Sequence, residues 1–198
     1  MGRRPRLLAG ILAAALFLHG IAASVSSEVA RWVPVGGKSH VTFEASHPFG
    51  DFTGKAENPI GDFRGDPSDL RLGVTGELRV PAAGLRTGLD GRDRDMRALL
   101  EAAQHPEIRF TVERVEASFH SVTDRSDLLL SIRGVMRVRG VERPAVFTGR
   151  ARLRDDKLWV RGEGSVRMSD FGIRPPTRFF LSVEDRLRLR FELLLMRE

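Results

Sequence analysis

The chain contains no cysteine in its 198 residues. Disulfides, thiolate nucleophiles and thiolate metal ligands are therefore excluded, and any core must hold by burial alone. A lipoprotein anchor, which needs a cysteine behind the leader, is excluded with them. Lysine is almost missing too: Lys38, Lys55 and Lys157 are the only lysines among 32 basic residues. The basic excess is thus arginine, spread along the chain without a clustered stripe or an RNA-binding motif, so nucleic acid is not an expected partner. Histidine is sparse, five in all. His40 and His47 are too far apart to form a helical pair, and no histidine-carboxylate cluster offers the three or four ligands of a metal site. No metal ligand and no catalytic residue is assigned.

A long membrane-spanning run is also lacking. The apolar stretch at residues 7–18 falls short of the ~20 residues that cross a bilayer. Arg3, Arg4 and Arg6 precede it, and Ala22, Ala23 and Ser24 follow. That charged, apolar, small-residue order is the order of a secretory signal peptide. The expectation is a signal peptide over 1–24, a lead-in over 25–37 punctuated by Pro34 and Gly36-Gly37, and one domain over 38–198 in a periplasmic or secreted protein. Loss of the leader removes three arginines and takes the net charge from +6 to +3. This is a modest excess, suited to solubility and weak attraction to anionic surfaces.

What the chain has in abundance is two-residue alternation. In residues 158–168, Leu158, Val160, Gly162, Gly164, Val166 and Met168 share one parity, and Arg161, Glu163, Ser165 and Arg167 the other. That is the pattern of a strand with one dry and one wet face. It recurs at Val41 to Ala45, from Phe52 onward with a break at Pro59 and Gly61, over 70–81, from Ile108 towards Phe119, over 128–138, at Phe147 to Leu153, and at Leu187 to Leu195. Turns are expected at 46–51, 120–127, 140–144 and 155–156. Only residues 91–103 change period: Met96, Leu99, Leu100 and Ala103 form the apolar stripe of a short helix that would lie against the sheet or plug a barrel end. The pattern predicts an all-β, mostly antiparallel fold of about eight strands with one helix between early and late strands. Gly76, Gly134, Gly149, Gly162 and Gly164 all fall on the dry parity. Either they let the strands bend or they leave an interior under-filled.

These motifs resemble the YceI-like family of exported lipocalin-like barrels. The resemblance rests on His47 with Phe49-Gly50 and Phe52-Thr53-Gly54, Thr87-Gly88 before Arg92-Asp93, Pro106-Glu107-Ile108 with Phe110, residues 134–144, and Ser169-Asp170-Phe171-Gly172-Ile173. It implies an extended antiparallel barrel around an apolar tunnel for a polyisoprenoid or prenylated quinone, with no other cofactor. Asp95 stands where many members carry histidine. On this reading the candidate interior lining is Phe43, Phe52, Leu72, Val74, Leu78, Phe110, Leu130, Ile132, Met136, Phe147, Val160, Gly162, Gly164, Val166, Phe171, Leu189 and Phe191. Candidate head-group or mouth contacts are His47, Arg92, Asp93 and Asp95, although early-turn acids also suit a helix start for structural reasons alone. A transient membrane-surface contact and a homodimer are compatible with this picture.

Two other readings stand beside the carrier. A barrel isomerase or hydrolase acting on an apolar molecule would use Asp93, Asp95 or His47 for proton transfer and needs a carboxylate with a raised pKa. Ser169-Asp170 lacks an oriented base, so a nucleophile is not expected there, and Asp170 is expected to cap a turn. An interaction protein with a filled core and an arginine-rich outer face would show no cavity. Cavity volume separates the three.

Overall fold

The computed structural model describes residues 29–119, 122, 127–178 and 181–198. The expected signal peptide and most of the 120–127 turn lie outside the described residues. The strands are β1 (Ala30–Pro34), β2 (His40–Ala45), β3 (Phe52–Glu57), β4 (Ile60–Gly65), β5 (Thr75–Pro81), β6 (Glu107–Ala117), β7 (Leu128–Val138), β8 (Val141–Arg154), β9 (Lys157–Arg167), the short β10 (Thr177–Arg178) and β11 (Leu181–Ser182), and β12 (Arg186–Arg197). One α-helix, α1 (Asp90–Leu99), lies between β5 and β6.

Alternation folds as it reads. In β7, Leu128, Leu130, Ile132, Gly134, Met136 and Val138 are buried while the intervening residues reach towards solvent. Burying one face of every strand is satisfied by rolling the sheet, and antiparallel pairing runs β1-β4-β5-β6-β7-β8-β9-β12 with β12 closing back on β1. This ring of eight strands has no free edge where it closes. β2 and β3 extend it upward: β12 pairs with β2 through Leu187 to Glu192 and with β1 through Leu195 to Arg197. β1 and β2 are therefore two halves of one barrel position, as are β3 and β4.

The breaks have local causes. Pro59 cannot donate to a ladder, and Asn58 before it takes the left-handed conformation at φ 56°. The Asn58 side chain accepts from the Gly37 amide at 2.6 Å, and buried Ser39 bridges the gap by donating to the Leu194 carbonyl and accepting from its amide at 3.2 and 3.1 Å.

Four expectations are corrected. The lead-in contains β1, whose Trp32 is buried and donates its indole N–H to the Gly65 carbonyl at 3.2 Å. Residues 70–81 are not one strand: Asp69 accepts from the Arg71 amide to start a 3-10 turn at Leu70–Leu72, and Gly73 at φ 86° redirects the chain so that the strand begins at Thr75. The helix stops at Leu99 rather than 103, because Glu101 turns left-handed at φ 49° and its carbonyl takes the Gln104 and His105 amides. The hairpin at 140–144 is only Arg139-Gly140, both with positive φ, so Val141 to Pro144 already belong to β8.

The inward glycines do not leave the lining bare. Gly162 lies under the Phe191 ring, where a Cβ would come 2.6 Å from Phe191 Cζ and 3.0 Å from the Thr148 carbonyl. Gly164 lies under Phe147 in the same way, Gly54 under Phe43, and Gly134 beside Phe110 and against the Thr111 carbonyl. Each glycine thus makes room for a ring from a neighbouring strand to lie flat along the wall. Phe110, Phe147 and Phe191 then form an edge-to-face row at 5.0 and 5.7 Å.

Candidate functional site

With the rings pressed to the wall, the barrel stays hollow. An upper chamber of about 1050 Å³ opens at the α1 end, and a lower chamber of about 170 Å³ lies below it. The two share Val41, Val80, Ile108, Met136 and Leu189, an apolar waist. The lower chamber is walled by Trp32, Phe63, Val74, Leu78, Phe110, Phe147 and Phe191 among others. Arg64, Asp66 and Arg190 also border it, but the surface it presents is almost wholly apolar, so a polar head group placed there would be desolvated at a cost.

The mouth exists because β3 leaves its neighbour. Above the β4–β5 pairing, β3 meets Arg86 through paired backbone hydrogen bonds of 2.7 and 2.9 Å instead of β5. Helix α1 covers that seam and turns Met96, Leu99 and Leu100 into the chamber. Its far end is tied down by Arg139, which binds the Glu101 carboxylate and donates to the Gly172 carbonyl at 3.1 Å. The rim combines the 46–51 turn, the start of α1, and Ile173, Pro176, Thr177 and Val183, and its side chains include His47, Phe49, Leu89, Arg92 and Asp95.

The expected lining residues fall into three groups. Val74, Leu78, Phe110, Leu130, Ile132, Phe147, Val160 and Phe191 line the lower chamber, Phe43, Phe52, Val166 and Phe171 the upper one, and Met136 and Leu189 both. Gly162 and Gly164 lie behind rings and do not reach the space. Leu72 sits on the 3-10 turn, 53% exposed, and lines neither chamber, because Gly73 ends the expected alternation. Sequence reasoning missed Val41, Val80 and Ile108, although their strand parity could have found them. The rim side chains Phe49 and Leu89, 74% and 58% exposed, had no periodic signal.

The charged mouth residues separate. Arg92, His47 and Asp95 line the chamber. The Arg92 guanidinium stacks 4.2 Å above the Phe52 ring and donates through Nε to Thr87 Oγ1 at 3.0 Å, so its position is fixed from two sides. His47 accepts the Phe49 amide on Nδ1 at 3.1 Å, so this turn uses Nδ1 and not Nε2. Asp93 does not reach the cavity. It is buried, and one oxygen accepts from the Thr87 amide and hydroxyl at 2.8 and 2.6 Å. The Thr87 hydroxyl holds its carboxyl below the ordinary value, with Arg86 and Arg97 acting in the same direction against desolvation. Asp93 therefore fastens the 85–89 loop to α1 and positions Arg92.

This lowered pKa sets a pH dependence. The unfolded chain binds a proton near the ordinary carboxylate value while folded Asp93 resists it, so its stabilisation is full above that value and is lost as pH falls through the lower folded one. Urea midpoints followed from pH 7 to pH 3 should fall more steeply for the wild type than for Asp93→Asn, with the gap between them closing in acid.

Ser169 is structural. Its amide and hydroxyl donate to the Asp185 carboxylate at 2.8 and 2.5 Å, so Asp185, not Asp170, supplies this side-chain tie, and the Ser169 hydroxyl holds the Asp185 pKa down. Among the described residues, no group of three histidines or acids could hold a metal.

The fold has known counterparts. It is similar to BcnA of Burkholderia cenocepacia, at 12% identity and TM-score 0.66 over 80% of this chain and 96% of that one. It is equally similar to a polyisoprenoid-binding domain from Saccharophagus degradans, at 16% identity and TM-score 0.66 over 86% of this chain and 100% of that one. The YCEI protein of Campylobacter jejuni matches at 17% identity and TM-score 0.58 over 73% and 84%. No curated protein matches the chain. At these identities the structural likeness carries the fold alone, but the sequence profile of the YceI-like domain spans residues 32–195. The chain belongs to the YceI-like domain family.

Proposed function

We propose that this protein is an exported carrier that holds a polyisoprenoid or prenylated-quinone tail in the barrel, with the polar end at the rim. One observation carries the reading: a chamber of about 1050 Å³ whose charged side chains are confined to its mouth and whose apolar waist leads to a further apolar chamber. The upper chamber alone reaches the top of the ~300–1,000 Å³ range of ordinary small-molecule pockets. A long chain uses such a shape well, since each buried methylene contributes ~0.8 kcal/mol and no polar partner is needed along its length. The polyisoprenoid binding of the Saccharophagus degradans domain supports the same class of ligand. Arg92 and His47 Nε2 are the head-group contacts in this proposal.

The enzyme reading is disfavoured by Asp93, whose pKa is lowered where proton transfer to an apolar substrate would want it raised. Organic-solvent extraction of the purified protein followed by mass spectrometry should release a prenyl lipid. Repeated recovery of none, together with no uptake of an added ubiquinone analogue, would refute the carrier.

A further inference from the structure

The charge of this protein is unevenly distributed around the barrel. Strands β7, β8, β9 and β12, consecutive in the ring, carry thirteen arginines and lysines against three glutamates. Residues 30–117, which build the rest of the barrel and α1, carry twelve basic residues against fourteen acidic ones. The small net charge of the whole chain thus conceals a strongly cationic wall beside a slightly acidic one. Pleat parity makes the wall outward: Arg150, Arg152 and Arg161 alternate with the inward Phe147, Ala151 and Val160. Asp127 and Glu44 neutralise part of it, Asp127 through Arg150, Arg152 and Arg161 and Glu44 through Arg188 and Arg190.

Like charges are set directly opposite one another here. Arg150 faces Arg161, Arg167 faces Arg186, and Arg154 faces Lys157 across the ladder. Such pairs cost a sheet stability, and acids offset only part of that cost: Asp127 bridges Arg150 and Arg161, and Asp155 lies 3.7 Å from Arg154. Exposed apolar side chains stand among them: Leu129, Val146 and Trp159 at 54%, 47% and 48%. Trp159 lies in register with Arg152 on one side and Leu194 on the other. Basic side chains around a half-exposed tryptophan are the combination that settles at a charged bilayer interface, where the cations meet phosphates and the indole sits at head-group depth.

We propose that the β7-β8-β9-β12 wall is a docking surface for an anionic lipid bilayer. The charge of the wall is dispersed over four strands, which suits a field of separate phosphates. In the ring order the seam that opens beside β3 is on the far side from β8 and β9. Docking therefore leaves that seam facing away from the bilayer while the protein is held at the surface. The inference does not depend on which ligand fills the barrel.

Co-sedimentation with phosphatidylcholine vesicles, with and without phosphatidylglycerol, tests it. Binding is expected only with phosphatidylglycerol, weakening as salt rises, and Trp159 emission should shift to the blue; Trp32 is buried and supplies a constant background. Replacing Arg154, Lys157, Arg167 and Arg186 together by glutamine should weaken binding by about fivefold per charge removed, with the circular-dichroism spectrum and ligand uptake unchanged. Trp159→Ser should also weaken it. The proposal is overturned if the quadruple variant binds like the wild type, if Phe49→Ser at the rim abolishes binding instead, or if soluble heparin is bound as tightly as vesicles with no shift in Trp159 emission. Normal prenyl uptake with no vesicle binding would remove this inference and leave the carrier reading in place.

Discussion

Leu189→Trp is expected to reduce uptake of a long prenyl ligand by about ten- to a hundredfold, the equivalent of the ~1–3 kcal/mol that overpacking costs. Leu189 belongs to the waist, where the upper and lower chambers share their lining. Its inward neighbours in the ladder are Phe43 on β2 and Gly164 on β9. An indole there extends into open space instead of into packed side chains, so the melting temperature should stay within a few degrees of the wild type. Titration with a fluorescent prenyl analogue measures the effect, and Leu189→Ala, which widens the waist, should bind at least as well as the wild type. Equal affinity of all three proteins would show that the tail never reaches the waist. Gly162→Leu is the plug that alternation suggests, but it would strike the Phe191 ring and the Thr148 carbonyl and damage the wall before it filled the tunnel.

Phe147→Ala should produce the largest loss of stability, about 3–5 kcal/mol as for other buried phenylalanines. Phe147 is buried, sits at the centre of the Phe110-Phe147-Phe191 row, and covers Gly164. Its removal deprives both neighbouring rings of an edge-to-face partner and leaves bare backbone beneath. For a domain of this size the loss corresponds to a fall in melting temperature of roughly 10 °C or more, readable by thermal denaturation. A change of only one or two degrees would mean that the ring is a loosely held lining residue and not a structural part of the wall.

The lowered Asp93 pKa and the buried Phe147 illustrate what could and could not be read in advance. Alternation gave the strands, their inward parity and most of the lining, because a half-buried strand has to segregate its residues every second position. The stripe Met96, Leu99, Leu100 likewise placed α1 against the interior. Alternation puts Leu72 on the wrong face because Gly73 shares a parity with polar neighbours, and a turn conformation at one glycine leaves no trace in a period of two. Arg92 and Asp93 are adjacent in α1, yet one faces the chamber and the other is buried against the 85–89 loop. That split depends on where Thr87 and Phe52 arrive from other parts of the chain.

By itself the sequence determined an all-β domain, a single short helix, an arginine-rich wet face and a phenylalanine- and glycine-bearing dry one, since these follow from local period and composition. Only the tertiary structure decided that the rings lie over the glycines, that the middle stays open, and that the cations gather on one side of the barrel. Those outcomes depend on register and closure, which bring together residues more than a hundred positions apart, such as Glu44 and Arg188.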